Sequence, residues 1–414
     1  MNRGDRVRLA IERPATGGRM IARHEGAIVL VSGAIPGEVV EAEIEKVQRG
    51  TMWAVTRDVL ERSADRIEPA MDGACGGSVF AHVAYERQRA IKSAIIDDTL
   101  RRLGRVTLET PVEVAGSPLD GYRMRARLHV RNGRIGFFRE GTHSLCDARQ
   151  TRQLSAAAMD AVELLQQSLS GLARPVVSEI ELAENVSASE RAVHLELVPD
   201  ADPSRLGTLT NVDGLTGATS APVDHPRTME LWGSPYVSDR VAGAPLMRHA
   251  RSFFQANRFL LDPLVAHVLG LIDAGSILDL YAGVGLFSVA ASASGKGSVV
   301  AVEHDRFSVD DLRRNVAGHD ITAIAGSVEG FLERPGATFT TVIVDPPRTG
   351  MSKDATAGVI ARRAPRVVYV SCDIATLARD ARQLIDAGYR IAGVRGFDLF
   401  PNTAHVETVI AFVR

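Results

Sequence analysis

The chain has 414 residues, 45% of them hydrophobic and 24% charged, the balance of a soluble protein of about two or three domains. Its 48 basic and 50 acidic residues leave a net charge of −2, so bulk charge does not mark a nucleic-acid binder and any such role must rest on local patches. No apolar run approaches the roughly 20 residues that cross a bilayer. The opening MNRGDRVRLA lacks the apolar stretch of a signal peptide, and three cysteines provide no disulfide framework, so a cytoplasmic protein with no membrane partner is expected.

Residues 1 to 66 are strand-like. Short alternating runs, VRLAIE, AIVLVSG and EVVEAEIEKV, are broken by glycine and proline at Gly17, Gly18, Gly26, Pro36 and Gly37, a spacing that predicts a small β-barrel. Residues 67 to 235 are mixed. A helical stretch, YERQRAIKSAIIDDTLRRLG, leads into strands at YRMRARLHV and GRIGFF, and segments such as DGLTGATSAPVDHP read as loops. Residues 236 to 414 change character. The apolar runs SILDLYAG, SVVAVEHD, TTVIVDPP and RVVYVSCD alternate with helical patterns, as a doubly wound, Rossmann-like domain requires. The tail, YRIAGVRGFDLF then HVETVIAFVR, predicts a closing antiparallel pair.

Within this third zone, Asp279 closes a strand that runs into Tyr281-Ala282-Gly283-Val284-Gly285 and then a helix. The next strand ends at Glu303, about 20 residues on, where a carboxylate can hold ribose hydroxyls. The dinucleotide fingerprint wants a third glycine where this chain has Ser288, and there is no Gly-Lys-Ser/Thr phosphate loop. A cofactor without phosphates fits better, and S-adenosyl-L-methionine is the commonest of these.

Three segments fall at or near strand ends on one expected edge: VIVDPPRTGM with Asp345, VVYVSCDIATLARD with Cys372, and FPNTAHVETV with Glu407. Together with SFFQANRFL, which holds Gln255, and LDLYAGVG, they resemble the RNA (uracil-5-)-methyltransferases across the whole third zone. GAIVLVSGAIPGEVVEAEI resembles the TRAM domain found at the front of many of these enzymes. The resemblance implies a multi-domain α/β protein: a TRAM/OB-like barrel (1–66), a mixed α+β RNA-recognition domain (67–235) and a Rossmann-like methyltransferase domain (236–414). It also implies an RNA substrate, ribosomal or transfer RNA with the ribosomal favoured, and a monomer. Gln255, Tyr281, Glu303 and Asp345 match positions where the family contacts its cofactor.

The residues make chemical sense without the family. Carbon 5 of uracil is a poor nucleophile. A thiolate adding to carbon 6 makes an enolate, carbon 5 then takes the methyl group, a base removes its hydrogen, and elimination frees the enzyme. Cys372 is the candidate thiolate, before a helix that Asp373 can cap and whose N-terminus favours the anion. Glu407 is the candidate base. Asp345, in a loop stiffened by two prolines, is a candidate to hold the target base's edge or the cofactor, and His405 reads as structural. The target base must be extruded to reach Cys372.

Many relatives carry an iron–sulfur cluster on four cysteines. Here the matching positions read Pro69 and Cys75-Gly76-Gly77-Ser78, with Cys146 as the later ligand, so no cluster is expected and the two cysteines are expected to pack near each other. A zinc site on these cysteines with His82 and His143 follows no standard spacing. Arg123, Arg125 and Arg127 alternate, which puts them on one strand face as a candidate row for phosphates, with Arg131 and Arg134 following. The competing readings are an RNA-binding protein with lost catalysis, and a methyltransferase acting on cytosine or on a protein side chain.

Overall fold

The computed structural model describes residues 1–414 apart from 171–175, 200, 202–205, 207–208, 210, 224 and 226–227. The first zone is the expected barrel. Strands β1 (Arg6–Pro14), β2 (Met20–His24), β3 (Ala27–Ser32), β4 (Val39–Gln48) and β5 (Thr51–Glu61) close in the order β1-β2-β3-β5-β4. Period-two alternation drives closure: Val7, Leu9 and Ile11 of β1 point inward with Val40, Ala42 and Ile44 of β4, while Arg6 and Arg8 face water. Closing the sheet removes its open edges.

Helix α1 (Tyr85–Thr99) follows, and its last turn widens over Leu100–Gly104. The short strand β6 (Val114–Ala115) comes next, and then the middle sheet. That sheet uses β7 (Arg125–Arg131), β8 (Arg134–Phe138), β9 (Leu145–Asp147), β10 (Val177–Glu184), β11 (Arg191–Leu197), β12 (Gly217–Pro222) and β13 (Met229–Gly233). Among the described residues its order is β13-β12-β11-β10-β7-β8-β9. Helix α2 (Ala156–Ser170) covers one face, packing Met159, Val162 and Leu165 against Ile180, Leu182 and Leu195.

Strand β12 corrects the loop reading of DGLTGATSAPVDHP, of which residues 224 and 226 lie outside the described set. Its small residues mark close packing instead of a turn: a Cβ on Gly217 would come within 2.2 Å of the Ser234 carbonyl oxygen.

The third zone begins with the hairpin β14 (Tyr236–Val241) and β15 (Ala244–His249). It continues through α3 (Leu261–Leu271), β16 (Ile277–Leu280), α4 (Leu286–Ala293), β17 (Val299–Glu303), α5 (Arg306–Asn315), β18 (Ile321–Ala325) and α6 (Val328–Leu332). The remaining elements are β19 (Thr341–Val344), α7 (Lys353–Arg362), β20 (Arg366–Ser371), α8 (Ile374–Asp386), β21 (Arg390–Phe397) and β22 (Glu407–Val413).

The sheet order is β18-β17-β16-β19-β20-β22-β21-β6. Strands β16 to β20 are mutually parallel; the apolar runs of β16, β17, β19 and β20 are largely buried, while β18 at the sheet edge is half-exposed. β22 is antiparallel to both β20 and β21. The order reverses beside β16, so the crevice beyond the carboxyl ends of β16 and β19 is where this topology binds ligands. The edge strand β6, from the zone read as the middle one, pairs in parallel with β21. No helix among the described residues is long and apolar enough to cross a membrane.

Candidate active site

The carboxyl edge of β16 and β17 is rich in acceptors. Tyr281, just past β16, takes a left-handed φ of 62°, and Gly283 follows at 57° with open space where a side chain would project. Glu303 ends β17, and its carboxylate is held by three backbone amides: Gly283 at 2.8 Å, His304 at 2.7 Å and Asp305 at 2.6 Å. Asp279 lies fully buried inside β16. One of its oxygens accepts from the Ser288 hydroxyl at 2.5 Å, and the other has no partner among the described residues. Asp345, one residue past β19, is reached by the Gln255 amide at 3.4 Å. Three carboxyl groups in one another's field disfavour a phosphate and suit a nucleoside that carries hydroxyls and a positive sulfonium. These residues therefore fit S-adenosylmethionine.

The opposite side of Asp345 faces the candidate chemistry. Ser371, the last residue of β20, pairs with Thr408 of β22, so Cys372 and Glu407 are the next positions on that ladder. Asp373 accepts from the amides of Ala375 and Thr376 and caps α8, as its position in the sequence suggests. Cys372 opens onto a cavity of about 420 Å³ whose walls come from distant segments: Thr16 and Gly17 of the barrel, Gly76 and Gly77, and Thr403 and His405. His405, read from the sequence as structural, thus lines the same cavity as the cysteine.

The electrostatics overturn one expectation. The helix N-terminus does not make Cys372 a resting thiolate. Burial, then Glu407, then Asp345 push its thiol up to about 12, while the Arg348 guanidinium, hydrogen-bonded to it, pulls the other way. Burial and Asp345 also hold Glu407 well above the usual carboxylate range, again opposed by Arg348. Burial and neighbouring Asp279 raise Asp345 to about 8, and burial raises Asp279 to about 7. The sequence reading placed Asp279 at the strand end but gave it no role, and it missed Arg348. Their signals were the acid just before the glycine turn and the basic residue that closes Asp-Pro-Pro-Arg.

A stability measurement tests this charge arrangement. A carboxyl raised in the folded state stabilises fully below its unfolded value near pH 4, and that contribution is lost as pH rises through the folded value. From pH 6 to 9 the ligand-free protein is expected to lose on the order of 2 kcal/mol, or about 2 °C in Tm. Asp345→Asn is expected to flatten the dependence in a thermal-shift series. A flat wild-type profile would mean that these carboxyls are ionised throughout.

Elsewhere the structure corrects the reading of the cysteines. Cys75 and Cys146 are packed together as expected, but they are joined as a disulfide, which the cysteine count had not suggested. The edge pairing brings them together: Cys75 bridges to Arg139, and Cys146 pairs with Phe137. Ser78 turns its hydroxyl to the Asp72 and Cys75 carbonyls at 2.9 and 2.8 Å. Two cysteines bonded to each other do not fit a cubic cluster that needs four ligands. His82 points instead at the Ala34 carbonyl, and no metal-binding group of three His, Cys, Asp or Glu occurs among the described residues.

The arginine row is divided. Arg125 and Arg127 share a face, but both donate to Glu181 at 2.8 Å. Arg123 precedes β7 and donates to Gln153 at 2.6 Å, with its guanidinium over the rings of Phe137 and Phe400. A phosphate would have to displace Glu181 to use the pair on the strand.

Comparison with known proteins agrees with this architecture. The TRAM domain family matches residues 2–54, the methyltransferase small domain residues 250–373, and the tRNA (Uracil-5-)-methyltransferase family residues 335–414. An uncharacterized RNA methyltransferase of Streptomyces avermitilis is 31% identical, over 98% of both chains. The 23S rRNA (uracil(1939)-C(5))-methyltransferase RlmD of Pectobacterium atrosepticum is 32% identical, over 96% of this chain and 91% of the relative. The crystal structure of Pyrococcus abyssi tRNA (uracil-54, C5)-methyltransferase in complex with S-adenosyl-L-homocysteine superposes with a TM-score of 0.78 at 25% identity, over 98% of this chain and 99% of that one. A TRAM barrel ahead of a methyltransferase sheet, with full-length similarity of this kind, makes the chain a member of the RNA (uracil-5-)-methyltransferase family.

Proposed function

We propose that this enzyme methylates carbon 5 of a uridine in ribosomal RNA, with Cys372 as the nucleophile and Glu407 as the base. The observation that carries the reading is the ladder that continues from Ser371 and Thr408 into Cys372 and Glu407, both in the field of Asp345, with Cys372 on the wall of a cavity. S-adenosylmethionine, when bound, supplies a methyl group on a positive sulfur. Gln255, Tyr281, Gly283, Glu303 and Asp345 are the residues that would hold it.

The raised thiol of Cys372 is not an obstacle to this chemistry. An uncharged thiol and carboxyl cost less in an empty buried pocket than two anions. Cys372 releases its proton to the solvent of the cavity it lines, and the Arg348 guanidinium, already on the thiol, offsets the charge of the thiolate that attacks carbon 6. Glu407, deprotonated in the loaded site, takes the proton from carbon 5, and the bond to Cys372 then breaks by elimination. Loop residues 403–406 line the cavity beside Cys372, and Glu407, next in the chain, is buried. Two relatives that are at least 30% identical carry names as 23S rRNA enzymes, which supports a ribosomal substrate.

The test uses purified enzyme, labelled S-adenosylmethionine and total RNA from a strain lacking the gene, followed by nucleoside mass spectrometry. Gain of 5-methyluridine confined to the ribosomal fraction is the expected result. Label in the transfer fraction would move the substrate. Label on cytosine, or on no RNA at all, would end the proposal.

A further inference from the structure

Helix α1 presents Tyr85, Gln88 and Lys92, spaced i, i+3 and i+7 on one face, to a stretch of chain about 300 residues further on. Gln88 is 1% exposed and Lys92 is fully buried. The Lys92 ammonium pairs with the equally buried Asp398 and donates to the Phe400 carbonyl at 3.1 Å. The Gln88 amide donates to the Asn402 side chain at 2.9 Å, and its oxygen accepts from the Asn402 backbone amide at 2.9 Å. Asn402 sits in a left-handed conformation, φ 63°, and its carbonyl accepts from the Phe80 amide at 2.8 Å. Tyr85 accepts from the Ser117 amide at 2.7 Å. Ser117 and the Leu399 carbonyl are both held by the Asn257 side-chain amide, at 2.9 and 3.2 Å. Three residues past Lys92's last contact, at Thr403, the same loop becomes the wall of the Cys372 cavity, and it then runs into Glu407.

This polar set is a poor way to glue a helix to a sheet. A buried ion pair roughly breaks even against apolar residues of the same volume, and a buried glutamine brings desolvation of its own. What the set supplies is direction: hydrogen bonds specify where Phe400 and Asn402 lie, and apolar packing would leave them free to slide. We infer that Gln88 and Lys92 are positioning residues that fix the path of the loop 398–406 and thereby aim Glu407 at its proton. The inference rests on the reading of Glu407 as the base.

Two variants of the full chain test it: Gln88→Leu, and Lys92→Met combined with Asp398→Asn, which removes both charges so that none is left buried alone. Misplacing a base by about 1 Å costs roughly 100-fold. Each variant is therefore expected to lose about 10- to 100-fold in kcat, with the KM for S-adenosylmethionine within about twofold. Ordinary RNA should accumulate as a covalent adduct on a denaturing gel. Capture of 5-fluorouridine RNA, whose fluorine no base can remove, should stay at the wild-type rate. Wild-type turnover in both variants, or turnover and fluorouridine capture falling in equal proportion, would overturn the inference. If Cys372→Ala still captures fluorouridine RNA, the site reading itself fails, and Gln88 and Lys92 are then not the cause.

Discussion

Cys372→Ala is expected to abolish both turnover and the covalent capture of 5-fluorouridine RNA. Without the sulfur no bond forms to carbon 6, carbon 5 stays a poor nucleophile, and positioning alone remains. Losses on removing a covalent nucleophile run to about 10⁴-fold or more. The cysteine is only partly buried, so the substitution should cost little stability, on the order of 1 kcal/mol. An inactive variant should therefore melt close to the wild type, and near-normal S-adenosylmethionine binding by calorimetry would confirm an intact pocket. Turnover within tenfold of wild type would remove Cys372 from the chemistry.

The Glu407→Gln variant should behave in the opposite sense on a gel. Glutamine cannot take the proton from carbon 5, so attack and methyl transfer proceed and the adduct stalls. Removing a general base costs about 10²- to 10⁴-fold in turnover. The attack itself should not slow, because Glu407 is the second cause of the raised Cys372 thiol, and a neutral amide lifts that repulsion. The expected band is ordinary RNA crosslinked to protein, stable to denaturant and dependent on S-adenosylmethionine. A variant that releases product at the wild-type rate would make Glu407 a structural residue.

The parts of this architecture that were legible in the sequence are those in which one local pattern decides the outcome. The barrel shows as period-two runs, and β16, β17, β19 and β20 show as continuous apolar stretches, because burial on both faces leaves no other composition. The closing strand β22 was readable for the same reason, whereas its partner β21 is only partly buried and showed only through its few apolar residues. What stayed hidden depends on residues far apart. Two residues, Val114 and Ala115, carry no pattern, and only Gly396 and Phe397 make them a strand. Strand β12 is disguised by the small residues that its close packing demands. Arg125 and Arg127 look free until Glu181, more than 50 residues later, is laid across them. The protonation of Cys372 could not be judged from its helix alone, because the groups that set it come from positions 345, 348 and 407.

The strand order also governs when this enzyme can exist. β22 follows β21 in the chain yet lies between β20 and β21 in the sheet. Until β22 is in place, β20 and β21 have no partner on their facing sides, and two apolar edges stand open to any other chain. A nascent chain that stops short of Glu407 thus lacks the proposed base and is also the species most prone to aggregate. β21 must at the same time wait for a partner made about 280 residues earlier. Such long-range closure folds slowly. Assembly of the catalytic sheet is therefore a late event of synthesis, and shortened chains should be found in inclusion bodies, with no inactive but soluble form.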